Sequence, residues 1–300
     1  MKTVLLTGAC GFLGKIIVKE LMVDYQLVTM GFQATNQITC NLVNEIPQLG
    51  KPFDLVIHAA GKAHVVPKTK AEKQEFFDVN LLGTQNLIKG LEEQEHLPKH
   101  FVFISTVAVY GRDHGTNIDE NHPLDGDTPY ALSKIQAEEF LLNWGKENGV
   151  TIGIVRLPLV AAPDPPGNLG DMIQAIDNDR YPRIGEANVQ KSIVWAEDVA
   201  RILPKIGEHG GTYNLTDGIH PTFRQLDTLI SSQLGKKEPF TIPYFVAKLM
   251  ALVGDLFGKR APINSNKLRK ITLPLTFNDE KARKELDWSP RSVLEQKLVS

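Results

Sequence analysis

The chain has 300 residues, 42% of them hydrophobic, with 33 lysines and arginines against 35 acids for a net charge of −2. Such a length and apolar content can bury a large core in one big domain or two smaller ones, and the balanced, well-mixed charge argues against a phosphate-backbone binder, so nucleic acid is not an expected partner. Cys10 and Cys40 form neither a metal-ligand spacing nor a disulfide framework, and no basic segment precedes an apolar core and cleavage site at the start, so the expected compartment is a reducing cytoplasm.

The first apolar run, Val4-Leu5-Leu6, leads into Thr7-Gly8-Ala9-Cys10-Gly11-Phe12-Leu13-Gly14 and then into the helix-like Lys15 to Leu21. A dinucleotide site needs this order of strand, glycine turn and helix. Gly8 makes the tight turn, Gly11 lets backbone approach a pyrophosphate, and Gly14 lets the helix pack closely on the sheet. The pyrophosphate would sit on free amides where the helix begins, at Phe12 and Leu13. A Gly-x-x-Gly-x-x-Gly spacing alone also fits an ordinary strand-to-helix turn; its place at a strand-helix boundary favours the site.

Leu27 to Met30, Asp54 to His58, Phe101 to Ile104 and Ile152 to Val155 are further short apolar runs that alternate with helical patterns. They predict right-handed βαβ units in a doubly wound, mostly parallel sheet covered on both faces. Gly61 to Ala71, polar and containing Pro67, reads as a loop at a strand's carboxyl end, where open α/β sheets bind ligands. Glu72 to Glu95 and Pro129 to Gly149 read as helices apolar over a wide arc, which suits either a core helix or one with a second face for a partner.

Beyond Arg156 the prolines and glycines of 158–170 make a loop-rich passage, and Ser192 to Ala200 reads as an extended segment entering a helix. The expected organisation is a dinucleotide-binding domain over 1–157, to which 192–206 returns, and a smaller lobe made of 158–191 and 207–300. Tyr244 to Phe257 is an apolar stretch shorter than the ~20 residues a membrane span requires, interrupted by Lys248 and Asp255. A buried or half-buried helix is expected there ahead of a membrane-surface one.

Three stretches carry chemistry. In Thr128-Pro129-Tyr130-Ala131-Leu132-Ser133-Lys134, Thr128 suits a helix N-cap and Pro129 the first helical position, which places Tyr130 and Lys134 on one helix face. An ammonium near a phenol favours the phenolate and lowers its pKa toward working pH, as a general acid/base needs. Phe101 to Gly111 places Ser105 and Thr106 at the carboxyl edge of a buried strand, with Thr106 able to donate to a substrate oxygen. In Asn80-Leu81-Leu82-Gly83-Thr84, Asn80 reads as a structural hydrogen-bonder.

These stretches, in this order, resemble the extended short-chain dehydrogenase/reductases of the NAD-dependent epimerase/dehydratase family that act on nucleotide sugars. The likeness runs almost end to end and closes on Asp279 to Pro290. It implies a Rossmann domain with a smaller, mixed C-terminal substrate lobe, NAD or NADP as cofactor, no metal, a UDP-sugar or other nucleoside diphosphate sugar as substrate, and a homodimer through the two wide-arc helices. It further implies that Tyr130 is the acid/base and that Lys134 binds the nicotinamide ribose and tunes Tyr130. Thr106 would hold the reacting oxygen, and Ala59, Ala60, Gly61, Asn80, Ser105 and Pro158 would line the cofactor.

Departures from the family pattern refine this. Dehydratases carry Asp-Glu where Val107 and Ala108 stand, so dehydration is not expected. The 4-epimerases resembled by Arg156 onward have an asparagine where this chain has Leu159, and the segment with Gly167-Asn168 is closer to 4-keto sugar reductases. Gly31-Phe32-Gln33 offers neither the acid of an NAD site nor the arginine of an NADP site, and Asn41-Leu42 stands where Asp-Leu is common near the adenine. Redox chemistry at carbon four of the sugar is the expected activity, with a slight preference for keto reduction over 4-epimerisation. A catalytically silent cofactor-binding scaffold is the alternative of another class; it has no use for Thr106, Tyr130 and Lys134 together.

Overall fold

The computed structural model describes residues 1–63, 65–258 and 263–299. The first half of the chain runs β1 (Thr3–Thr7), α1 (Phe12–Leu21), β2 (Gln26–Gly31), β3 (Ile38–Thr39), β4 (Leu55–His58), α2 (Lys70–Phe77), α3 (Gly83–Glu92), β5 (His100–Thr106), β6 (Gly115–Ile118), α4 (Pro129–Asn148), β7 (Thr151–Leu157) and β8 (Leu159–Ala161). There follow α5 (Gly167–Asp177), β9 (Arg183–Ile184), β10 (Ile193–Trp195), α6 (Ala196–His209), β11 (Gly211–Asn214), α7 (Phe223–Gln233), β12 (Thr241–Ile242), α8 (Tyr244–Asp255), α9 (Ser265–Thr272), β13 (Leu275–Phe277) and α10 (Glu280–Leu286).

Seven strands form one parallel sheet in the order β11-β7-β5-β4-β1-β2-β3. The apolar runs account for it, because side chains alternate between two buried faces. Val4, Leu6, Ile57, Val102 and Val155 join one core cluster with Ile17 of α1 and Val199 and Leu203 of α6, while Leu5, Val56, Phe101, Phe103 and Ile154 join another with Leu87 of α3 and Leu141 of α4. Chain order reverses between β1 and β4, so the crevice opens at their carboxyl ends.

The two wide-arc helices differ in detail. Glu72 to Glu95 is α2 and α3 joined by one wide π turn, Asp78–Leu82, whereas Pro129 onward is a single helix capped by the Thr128 hydroxyl on the Ala131 amide and closed by Gly149 at φ 68°. Leu82 and Leu132 keep about a third of their surface exposed and Leu142 rather more.

Three two-stranded pairs, β8–β10, β9–β12 and β6–β13, stand apart from the main sheet, and a buried ion pair joins Arg183 and Asp227 at 2.5 Å. One expectation about the late chain changes. Residues 207–300, expected in a smaller lobe, partly join the main sheet: α6 runs on to His209, β11 closes the sheet beside β7, and Ala282, Leu286 and Trp288 pack into the same core cluster as α1 and α6. The reason is that β11 and the residue after it bring Tyr213 and Leu215 to a sheet edge that would otherwise be bare. Helix α8 is half-buried, one of the two forms expected: Ala247, Ala251 and Gly254 are buried, while Phe245, Leu249, Leu252 and Val253 are each more than half exposed. Among the described residues no helix is long and apolar enough to cross a membrane.

Candidate functional site

The glycine turn is built to take something against its backbone. Gly8 has φ +73°, and a Cβ on it would fall within 2.8 Å of three Ala59 and Ala60 backbone atoms; one on Gly14 would collide with the Gly8 carbonyl. The turn therefore sits hard against the end of β4, with Gly11 as the extended N-cap of α1. First-turn amides of Phe12, Leu13 and Gly14 have no partner within the helix, and the turn stands where β1 ends at the crevice. This bare backbone fits a dinucleotide pyrophosphate.

Below the cradle lies a line of buried polar groups. The Ala60 amide donates to Thr7 Oγ1 at 3.1 Å, so the Thr7 hydroxyl proton goes to His58 Nδ1 at 2.6 Å. The other ring nitrogen, His58 Nε2, then donates to Thr84 Oγ1 at 2.9 Å, and Thr84 donates to the Asn80 carbonyl at 2.7 Å. Burial, aided by the Lys134 charge, pushes the imidazole pKa down to about 3, so His58 is neutral and spends both nitrogens on position.

Asn80 sits fully buried in the π turn, and that turn's extra residue aims its amide across the crevice. Its Oδ1 accepts from the Lys62 amide at 2.8 Å, and its Nδ2 donates to the Lys62 carbonyl and to Ser133 Oγ at 2.9 Å. One side chain thereby ties the loop after β4 to α4. Gly61 lies between, where a Cβ would come within 3.2 Å of both Asn80 Oδ1 and Lys134 Nζ.

On α4, Tyr130 stacks obliquely on Phe76 at 6.0 Å, and its hydroxyl meets the Thr106 side chain. Lys134 is 5% exposed; its Nζ donates to the Ile104 carbonyl at 2.8 Å and lies 4.3 Å from the Phe103 ring centroid. Burial lowers the Lys134 pKa to about 8, against the pull of Glu138 one turn on. The phenol departs from expectation: burial raises its pKa and only the Thr106 hydroxyl opposes that rise. The Lys134 ammonium is instead bonded to the Ile104 carbonyl.

Ser105 is also redirected. Its hydroxyl donates to Glu138, which holds Arg156 in a buried ion pair at 2.6 Å. Arg156 goes on to Tyr110 Oη at 3.1 Å, and that hydroxyl donates to Asn214 at 2.8 Å, which ties β5, α4, β7 and β11 together behind the site. Sequence reasoning missed Glu138; the signal was its spacing, four residues after Lys134 and eight after Tyr130. Pro158 links β7 to β8 at the same edge.

The outer end of the crevice is neutral. Asn36, 8% exposed, donates to the Gln33 carbonyl at 2.8 Å and touches Cys10, and Gly31 lies against its amide. Asn41 spends its side-chain oxygen on the Val43 amide, and the Leu42 carbonyl accepts from Asn86. A second missed group lies in the smaller lobe: Lys191, half-buried, donates to the Leu273 carbonyl at 2.9 Å, and burial lowers its pKa to about 8.

The model of the NAD dependent epimerase/dehydratase family matches residues 4–216. The chain belongs to that family. It is accordingly an enzyme that works with NAD or NADP, and it falls among the nucleotide-sugar epimerases, dehydratases and reductases. Among family members, N-acetyl-alpha-D-glucosaminyl-diphospho-ditrans,octacis-undecaprenol 4-epimerase of Escherichia coli O157:H7 is 26% identical over 93% of this chain and 88% of that protein. UDP-glucose 4-epimerase of Vibrio cholerae is also 26% identical, over 98% and 93%. The solved UDP-glucose 4-epimerase of Thermotoga maritima, with UDP-glucose, shares the fold at TM-score 0.75 and 20% identity, covering 98% of this chain and 95% of that one.

Proposed function

We propose that this family member reduces a 4-keto sugar carried on a nucleoside diphosphate, with Tyr130 and Thr106 as the reacting group's contacts and Lys134 on the cofactor's ribose. The dinucleotide, when bound, supplies the hydride that goes to carbon four. Phe12, Leu13 and Gly14 would hold its pyrophosphate, and Lys134, already fixed between Ile104 and the Phe103 face, would take the nicotinamide ribose. Tyr130 Oη gives its proton to O4 as the carbonyl becomes a hydroxyl, and Thr106 donates to the same oxygen. Asn80, Ser133 and Gly61 keep the ribose side of the site in place.

The observation that carries this direction is the state of Tyr130. Burial raises its pKa, its hydroxyl meets the Thr106 side chain, and Lys134 Nζ is bonded to the Ile104 carbonyl. A protonated phenol is the acid a reduction begins with; oxidation of a 4-hydroxyl must begin with a phenolate. The neutral corner at Gly31, Gln33 and Asn36 supports the same reading, since without a charged clamp on the adenosine ribose the cofactor exchanges readily between turnovers. The homodimer expected through 72–95 and α4 has the exposed Leu82, Leu132 and Leu142 in its support.

The second reading is UDP-sugar 4-epimerisation, the activity named for two of the relatives above. One experiment separates them. Purified protein is mixed with reduced dinucleotide and a 4-keto nucleotide sugar while nicotinamide absorbance is followed. Oxidation of one dinucleotide per sugar reduced is the expected result. Interconversion of two 4-hydroxy sugars with no added cofactor and no absorbance change overturns the reductase and installs the epimerase.

A further inference from the structure

Helix α8 is inside out. Its buried positions are Ala247, Ala251 and Gly254, at i, i+4 and i+7, and the two alanines cluster with Leu268 of α9. Its large side chains face solvent: Phe245 is 66% exposed, Leu249 60% and Val253 59%, with Leu256 at 84% and Phe257 at 67% just past its end. A core helix buries the large residues and exposes the small or polar ones. A continuous apolar face of this kind marks a surface that meets something apolar.

Charge around the helix identifies what it meets. Between Lys236 and Thr272 the sequence holds eight lysines and arginines and two acids, about +6 within a chain whose total is −2. Both acids are engaged, Asp255 by Ser265 at 2.6 Å and Glu238 by Arg183 at 2.9 Å. Lys248 lies exposed on α8, and Lys267, Arg269 and Lys270 lie exposed on α9, the last two sharing Asp113. Self-association through this corner would bring two strongly positive patches together. Phenylalanines and leucines rimmed by lysine and arginine suit a helix lying in the interface of a bilayer with anionic headgroups.

We propose that α8 and α9 seat this protein on an anionic membrane surface, with Phe245, Leu249, Leu252, Val253 and Leu256 at the acyl boundary and the cations among the headgroups. A cleft of about 350 Å³ opens beside the same helix, between Tyr244, Ile271 and Leu273 on one side and Gly185 to Val189 on the other. Leu273, on its wall, is the residue whose carbonyl holds Lys191. Docking therefore puts an opening of the smaller lobe next to the bilayer. This inference stands whichever direction the redox chemistry takes.

The test is flotation of the full chain with vesicles of phosphatidylcholine alone or mixed with phosphatidylglycerol. Wild type should float with the mixed vesicles, bind phosphatidylcholine at least ~10-fold less, and lose binding as salt is raised. A Leu249→Ser, Leu252→Ser, Leu256→Ser variant should lose flotation while still binding dinucleotide, which shows that it is folded. Absence of flotation by wild type, or equal flotation by the variant, overturns the proposal. So does a wild-type mass in light scattering that falls in the variant without any vesicle binding, because the face is then covered by a second copy.

Discussion

The crevice floor and the α8–α9 corner use side chains in opposite ways. Beneath the glycine turn, Thr7, His58, Thr84 and Asn80 are all fully buried polar residues, and each hydroxyl, ring nitrogen and amide among them has a partner. At the corner, large apolar residues stand in solvent while two alanines fill the contact with α9. Burial in this protein therefore follows the job of each surface and not residue type. A site that must hold two helices and a loop at fixed spacing needs directional bonds, and paired polar groups supply them. A surface that must meet lipid needs bulk facing outward and a thin, close seam behind it.

The largest effect expected on the crevice side is at Tyr130. Tyr130→Phe should lower kcat by ~10²- to 10⁴-fold, as loss of an acid/base does. Dinucleotide affinity should be nearly unchanged, as measured by fluorescence titration. Parallel loss of binding would mean that the ring is only packing against Phe76.

His58 should appear in the pH dependence of stability. Its pKa is about 3 in the folded chain and near 6.5 unfolded, so between those values the unfolded chain binds a proton that the native one does not. Stability from this group is complete above pH 6.5 and is lost as pH falls toward 3, at roughly 1.4 kcal/mol per pH unit. Denaturant midpoints measured at pH 7 and pH 5 should show a smaller loss for His58→Gln than for wild type. Equal losses would move the acid sensitivity to the carboxylates.

The smallest effect belongs to the corner. Leu249→Ser removes a side chain that contacts mainly water, so folding stability in urea should change by less than about 0.5 kcal/mol. A loss of 2 kcal/mol or more, the scale of a buried leucine, would show that the face is packed and would erase the contrast with the crevice.

Local sequence was enough for the frame. Val4 to Leu6, Asp54 to His58 and Phe101 to Ile104 announce buried parallel strands because apolar side chains on both faces leave no other option, and Gly8, Gly11 and Gly14 announce the cradle because backbone must touch backbone there. Thr128 and Pro129 set the start of α4 and with it the face shared by Tyr130 and Lys134. Tertiary structure decided the rest. The direction of the Lys134 ammonium depends on the Ile104 carbonyl, thirty residues earlier, so helical spacing could place the lysine beside the tyrosine but not aim it. The edge strand Gly211–Asn214 exists because β7 has a free side, a fact about sheet closure that four residues cannot state. Packing turned Ala247 and Ala251 of α8 toward Leu268 of α9 and its large residues outward, and apolar periodicity alone reads the same whether the large residues face a core or a membrane.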